Sequence, residues 1–332
     1  MIKRTITTFS LFAASCAFAA LTETESEFKS NRTDPDTGAA LTANGWTISG
    51  SGSVSEIGAG AQDTTAILFE DATIDFDSIG TTIKVGEGAQ FQSSNDFSIG
   101  TKGNVVLNFK SGSTASLITS AGLATSADKA QSAGKVVINV AKGYAGTITL
   151  PVIGVVKGNL EMNLHNAYAL KDTRLYISNV AKLNMSADQS IVWDIRRKDL
   201  AVFQLNITNG AGLFVSKIYS AGGTYDGAKV KLTGENLLDG FIYFVSSMVD
   251  SYDDDAKTIT LKRGSRLYTI SFVDKDGNDV NSENYAGFEF GEKTIDGVKY
   301  TYATMTSIPE PATWAAIFGA IALGLAVYRR RK

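Results

Sequence analysis

One histidine, His165, and one cysteine, Cys16, stand in the 332-residue chain. A Ser-His-Asp relay would have to run through His165, set in Asn163-Leu164-His165-Asn166-Ala167, and no Gly-x-Ser-x-Gly elbow supplies a nucleophile. No catalytic residue is expected. No metal site or cofactor is expected either, since zinc and its neighbours need several imidazole or thiolate ligands. Calcium would need only oxygens, and Asp274-Lys275-Asp276-Gly277-Asn278-Asp279 places them at alternate positions. An EF-hand loop, however, needs glycine where Asp279 stands and glutamate where Tyr285 stands, so the stretch is predicted to be a turn. The acidic cluster from Asp250 to Asp255 is read as a solvated loop or a weak cation site. One enzymatic alternative remains open: Asp172, Arg174, Asp194 and Arg196 could share one face of a scaffold, as paired carboxylates and basic residues do in polysaccharide-cleaving enzymes.

The elements that would position any such group come from a repeat. Leu107-Asn108-Phe109, Ile138-Asn139-Val140, Met162-Asn163-Leu164, Leu183-Asn184-Met185 and Leu205-Asn206-Ile207 each place an asparagine between two large apolar residues. Ile74-Asp75-Phe76 precedes them, and the six polar positions are spaced 33, 31, 24, 21 and 22 residues apart. Period-2 alternation puts the apolar residues on one face of a strand and the asparagine on the other. With turn-rich connections between copies, the strands can stack as rungs, each covering the apolar face of the last, and the asparagines can form a ladder of amide hydrogen bonds. The expected fold class is therefore all-β: a parallel β-solenoid-like stack of short strands over 46–228. A β-sandwich whose outward positions happen to be asparagine is the alternative.

Upstream, 20–45 is polar and aperiodic and is expected to be a flexible leader. After about Lys229 the apolar runs lengthen and become aromatic, as in Phe241-Ile242-Tyr243-Phe244-Val245 and Leu267-Tyr268-Thr269-Ile270-Ser271-Phe272. Antiparallel hairpins are predicted there, with Asp253-Asp254-Asp255 and Asp274 to Gly277 as turns. The region 229–306 is either a C-terminal antiparallel β cap on the stack or a small second β-domain.

Both ends read as addresses. Lys3 and Arg4, the apolar stretch from Ile6 to Phe18, and the small residues Ala17, Ala19 and Ala20 form a secretory signal peptide over 1–19. Ser15 before Cys16 leaves lipidation of the cysteine as an alternative, although Ala13 departs from the usual leucine. At the other end, Ala312 to Tyr328 is an uncharged apolar run whose helix would be about 26 Å long, near the lower limit for crossing a bilayer. Arg329, Arg330, Arg331 and Lys332 follow, and by the positive-inside rule they stop transfer and leave the preceding chain outside.

The stretch Ile308-Pro309-Glu310-Pro311-Ala312-Thr313-Trp314, with its apolar run and basic cluster, resembles the PEP-CTERM protein-sorting signal of Gram-negative bacteria that make extracellular polymers. The resemblance covers only 307–332. It implies that Pro309, Glu310 and Pro311 are recognised by an exosortase in the inner membrane, which removes the tail and passes the protein to the cell surface or extracellular matrix. The two prolines also block helix continuation back from the span and keep the segment extended for a processing cleft.

Of 31 Lys and Arg, six lie in the two terminal addresses, against 34 Asp and Glu, so the body between them is acidic. Its one basic cluster, Arg196-Arg197-Lys198, reads as a solvated turn, and no nucleic-acid partner is expected. The expected role is that of an exported structural or adhesive surface protein, anchored in the inner membrane as a precursor, with extracellular polysaccharide as a candidate partner. The rival expectation is a secreted polysaccharide-degrading enzyme on a β-helix scaffold.

Overall fold

The computed structural model describes residues 20–53, 63–64, 66–77, 81–85, 97–125, 134–155, 158–177, 180–194, 202–219, 228–232, 240–274, 276, 278–281 and 287–305. The signal peptide expected over 1–19 with its Cys16, Arg196 to Lys198 and the whole of 307–332 lie outside the described residues. Among those described, no helix is long and apolar enough to cross a membrane.

The architecture is nearly all β, with mostly parallel strands. A first stack holds the asparagine repeat: β4 (Ile67–Phe76), β7 (Val105–Phe109), β10 (Lys135–Val140), β13 (Asn159–Leu164), β15 (Val180–Met185), β17 (Val202–Ile207) and β19 (Ala228–Leu232). Each pairs parallel with the next, and Asp75, Asn108, Asn139, Asn163, Asn184 and Asn206 fall in one register column. A second stack starts on the front half of β4 and continues through β6 (Phe97–Lys102), β9 (Gly122–Thr125), β12 (Val152–Val155), β14 (Thr173–Ile177), β16 (Gln189–Asp194), β18 (Gly212–Tyr219) and β20 (Phe241–Val245). The third is short: β3 (Asp63–Thr64), β5 (Thr82–Val85), β8 (Ser116–Thr119) and β11 (Ile148–Thr149). Parallel pairing throughout these stacks departs from the antiparallel sandwich alternative.

The chain order explains why the repeat tightens. Between Asp75 and Asn108 the chain runs through β5 and β6, and between Asn108 and Asn139 through β8 and β9. Between Asn139 and Asn163 the third-stack strand shrinks to the two residues of β11, and between Asn163 and Asn184 only β14 intervenes. The first shortening, from 31 to 24 residues, arises because ten positions separate the end of β9 from the start of β10 but only four separate β12 from β13; dropping the third side of the coil then shortens the spacing from 24 to 21.

Inward-facing positions alternate with outward ones, and equivalent side chains lie over one another. Ile74, Leu107, Ile138, Met162, Leu183 and Leu205 form one fully buried column. Phe76 and Phe109 stack with ring centroids 4.4 Å apart. Burying side chains of this size yields about 1.5–3 kcal/mol each, the main term that holds the coils together.

The corner leading into the first stack excludes side chains. A Cβ on Gly134 would lie 1.5 Å from the Gly103 carbonyl oxygen, and one on Gly158 would lie 2.1 Å from that of Gly134. Successive coils touch backbone to backbone there.

Two expectations need correction. The segment 20–45 is not a flexible leader: β1 (Thr22–Thr33) pairs antiparallel with β2 (Ala40–Ser53), which itself pairs parallel with β4. Strands begin at Thr22 rather than near Trp46. The hairpin was hidden because main-chain pairing, rather than an apolar face, builds β1; its exposed Glu25 and Glu27 suit an edge that must not recruit another strand. The parallel stacks also run past residue 228, since β19 and β20 continue them and Phe241–Val245 pairs parallel with β18 rather than in a hairpin. Ile242 and Phe244 fill the inner positions of that coil.

Antiparallel strands follow. After a short 3-10 turn at Ser246–Met248, β21 (Val249–Asp253), β22 (Thr258–Arg263) and β23 (Arg266–Val273) form a meander, and β23 adds to the edge of β19. β24 (Phe288–Ile295) and β25 (Val298–Met305) form a hairpin that adds antiparallel to β20. The turn predicted at Asp253 to Asp255 forms, and Asp274, at the head of the other, caps backbone amides as a turn residue does. Asp253 Oδ1 accepts from the backbone N–H of Asp255 and Ala256 at 2.9 and 2.8 Å. Asp274 Oδ1 accepts from those of Asp276 and Asn278 at 2.8 and 2.9 Å.

Replacing Gly134 by alanine is expected to destabilise the protein by about 1–3 kcal/mol, because two backbones must separate to admit the methyl group. Thermal melting of the variant checks this; an unchanged midpoint would show that the corner is not tightly packed.

Candidate functional site

The outer face of the first stack carries a continuous amide ladder. Asn108 Nδ2 donates to Asp75 Oδ1 at 2.7 Å, Asn139 to Asn108 at 2.7 Å, Asn163 to Asn139 at 2.7 Å, Asn184 to Asn163 at 2.6 Å and Asn206 to Asn184 at 3.4 Å. Every bond points toward the N-terminal end. Asp75 explains the direction, since a carboxylate only accepts and so obliges the first amide to donate, which orients the next. Lys110 Nζ lies 3.3 Å from the same carboxylate oxygen. At the far end, the buried Asn206 Oδ1 has no hydrogen-bond partner among the described residues.

Beside the ladder, Lys135 Nζ lies 2.6 Å from Glu161 Oε2. The hydrogen bond from Lys135 is the largest influence on Glu161 and holds its carboxyl below the ordinary value of 4.5, with the charges of Lys135 and Lys182 acting the same way against partial burial.

A groove of about 380 Å³ opens where the third stack ends. One side is β11 with its flanking residues, Thr147 to Pro151; the other is the turn Asn166 to Lys171 of the next coil, which has no third strand to cover the first. Tyr144 lies at its base. Its hydroxyl donates to the Ala115 carbonyl at 2.6 Å, and burial pushes its pKa up to about 12, so it serves as a neutral structural group. Asn166 Nδ2 donates to the Tyr144 carbonyl at 3.1 Å. Tyr168 is 46% exposed and has φ 51°, a left-handed conformation that costs a bulky residue about 1–2 kcal/mol. Its backbone N–H is tied to the Asp188 carbonyl at 2.7 Å. Burial and then the charges of Asp188 and Asp296 raise its hydroxyl pKa, and neither aspartate lines the groove. Beyond Tyr168 an aromatic row covers the second stack: Phe214 and Tyr243 stack at 4.7 Å, with Tyr300 edge-on to both.

The residues singled out in the sequence are placed unevenly. Pro309, Glu310, Pro311, Arg329, Arg330, Arg331, Lys332 and Arg196 lie outside the described residues. His165 Nδ1 sits 2.8 Å from Ser186 Oγ on the next coil, an exposed contact between turns. Arg174 and Asp194 are brought together, Nε to Oδ2 at 2.9 Å, with Asp194 fully buried and the guanidinium 4.4 Å from the Tyr219 ring. Asp172 instead accepts from Ser190 Oγ at 3.1 Å in a turn. Among the described residues, no group of three or more His, Cys, Asp or Glu is placed to hold a metal ion. Sequence reasoning missed the groove and Tyr168; the fall in repeat spacing was the signal that could have found them.

Neither protein-family models, nor curated proteins, nor solved structures gave a match to this chain.

Two measurements follow from the ladder and its neighbour. Asn163→Asp should destabilise by about 1–3 kcal/mol at neutral pH, since the carboxylate cannot donate to Asn139, and the deficit should shrink in acid as the carboxyl regains a proton. Asp75→Asn, which keeps the acceptor, should cost less than about 1 kcal/mol; equal losses would mean the ladder has no polarity. Glu161 has a depressed folded pKa, so its contribution is present above pH 4.5 and fades as pH falls through the folded value. Glu161→Gln should therefore lower stability at neutral pH slightly, by at most about 1 kcal/mol, and flatten the decline of the melting temperature in acid; an unaltered pH profile would contradict the pairing.

Proposed function

We propose that this chain is an exported, non-enzymatic protein of the bacterial cell surface or extracellular matrix. Its body is a parallel β-solenoid closed by an antiparallel C-terminal cap, and its tail is a PEP-CTERM sorting signal with a transmembrane helix over Ala312 to Tyr328. It works as structural or adhesive material, presenting long polar outer faces to polysaccharide.

The observation that carries this reading is the tail itself: Pro309-Glu310-Pro311, then Ala312-Thr313-Trp314, an uncharged run, and Arg329-Arg330-Arg331-Lys332 at the end. The body adds support of a different kind. Its in-register polar face is long and repetitive, as suits contact with a repetitive polymer. Exosortase in the inner membrane is the processing partner, acting on the Pro309 to Pro311 segment, while the basic cluster holds the precursor in place.

Replacing Pro309, Glu310 and Pro311 together by alanine is expected to leave a full-length, membrane-retained product. Fractionation and immunoblotting of the producing bacterium read the outcome. Release of a tail-less product from the substituted chain would refute exosortase sorting.

A further inference from the structure

We propose that the groove at the end of the third stack binds an acidic polysaccharide strand, with Tyr168 as the stacking platform for a sugar ring and Lys171 as the partner of a uronate carboxylate. The inference rests on the polysaccharide contact proposed above and gives it a place and a chemistry.

Three observations converge there. The groove exists because one coil keeps the β11 edge and the next does not, so its floor and wall belong to successive coils that in-register packing holds rigid. Tyr168 stands exposed at its rim in a backbone conformation that glycine, asparagine or aspartate would adopt more readily. The ring lies 6.5 Å from that of Phe214 at the edge of the aromatic row, and its exposed apolar face suits the C–H face of a pyranose. The polar groups are then of the right kinds. Among the described residues Lys171 is the only charged side chain lining the groove, is exposed, and makes no ion pair. Asn166 holds its amide nitrogen on Tyr144 and keeps Oδ1 available to accept from a sugar hydroxyl. Thr147 and Thr149 offer hydroxyls on the facing side. Among the described residues no carboxylate lines the groove, so the Lys171 ammonium favours an anionic ligand there, with Asp188 and Asp296, which act on the Tyr168 hydroxyl, lying outside the lining.

Titrating the full chain calorimetrically with an oligogalacturonate, and with an uncharged oligoglucan of the same length, tests this. The oligogalacturonate is expected to bind, and the oligoglucan to bind about tenfold more weakly or not at all. Tyr168→Gly should weaken oligogalacturonate binding about tenfold while leaving the melting temperature equal or higher, because glycine relieves the backbone; that combination separates a binding role from a structural one. Lys171→Gln should abolish the preference for the acidic glycan. If the oligogalacturonate binds but both variants bind as the parent does, the groove is not the site and only the general polysaccharide contact survives. Equal affinity for the two glycans overturns the acidic specificity. No binding of either glycan overturns both the groove and the polysaccharide contact.

Discussion

In-register parallel pairing between successive coils is the constraint on which the rest of this molecule depends. Once Asn139 lies directly over Asn108, every neighbouring position is set, and residues of one kind must stack on residues of the same kind. Apolar positions become the buried columns, polar positions become the amide ladder, and corners become places where only glycine leaves room for backbone contact. A shift of one residue would turn each strand over and bury the asparagines. The ladder and the core thus enforce the same register from opposite faces of one sheet.

Polarity follows from the ladder's first member. A run of carboxamides can hydrogen-bond in either direction, but a terminal carboxylate accepts only, so Asp75 selects one. The aligned amides then strengthen one another in a partly dry environment. At the opposite end Asn206 Oδ1 has no partner among the described residues, and the coils beyond β17 continue through main-chain pairing and burial.

Open ends and changes of cross-section are where this repetitive body becomes individual. The hairpin β1–β2 covers one end, and the β21–β23 meander and β24–β25 hairpin cover the other, with charged or polar residues along the outer edges. Between them, loss of the third side after β11 produces a step in the surface that opens the groove at Tyr168. A regular stack of equal coils would have left no such recess.

The apolar-Asn-apolar triplets by themselves determined the first stack, its inward and outward faces and its ladder, because period-2 alternation and recurrence are local properties. The proline-flanked Glu310, the apolar run and the basic cluster likewise define the sorting reading with no reference to the fold. Tertiary structure alone decided the rest. The polar β1 has no apolar pattern and is a strand only because β2 offers it a free edge. Phe241–Val245 looks like a hairpin strand but joins the parallel stack because its inner positions continue the columns of β18. Arg174 and Asp194, twenty residues apart, meet because neighbouring coils bring β14 beside β16. The groove depends on a strand that is missing from one coil while present in the previous one. Such features arise from which edge a segment meets, and an edge is a property of the assembled stack rather than of the segment.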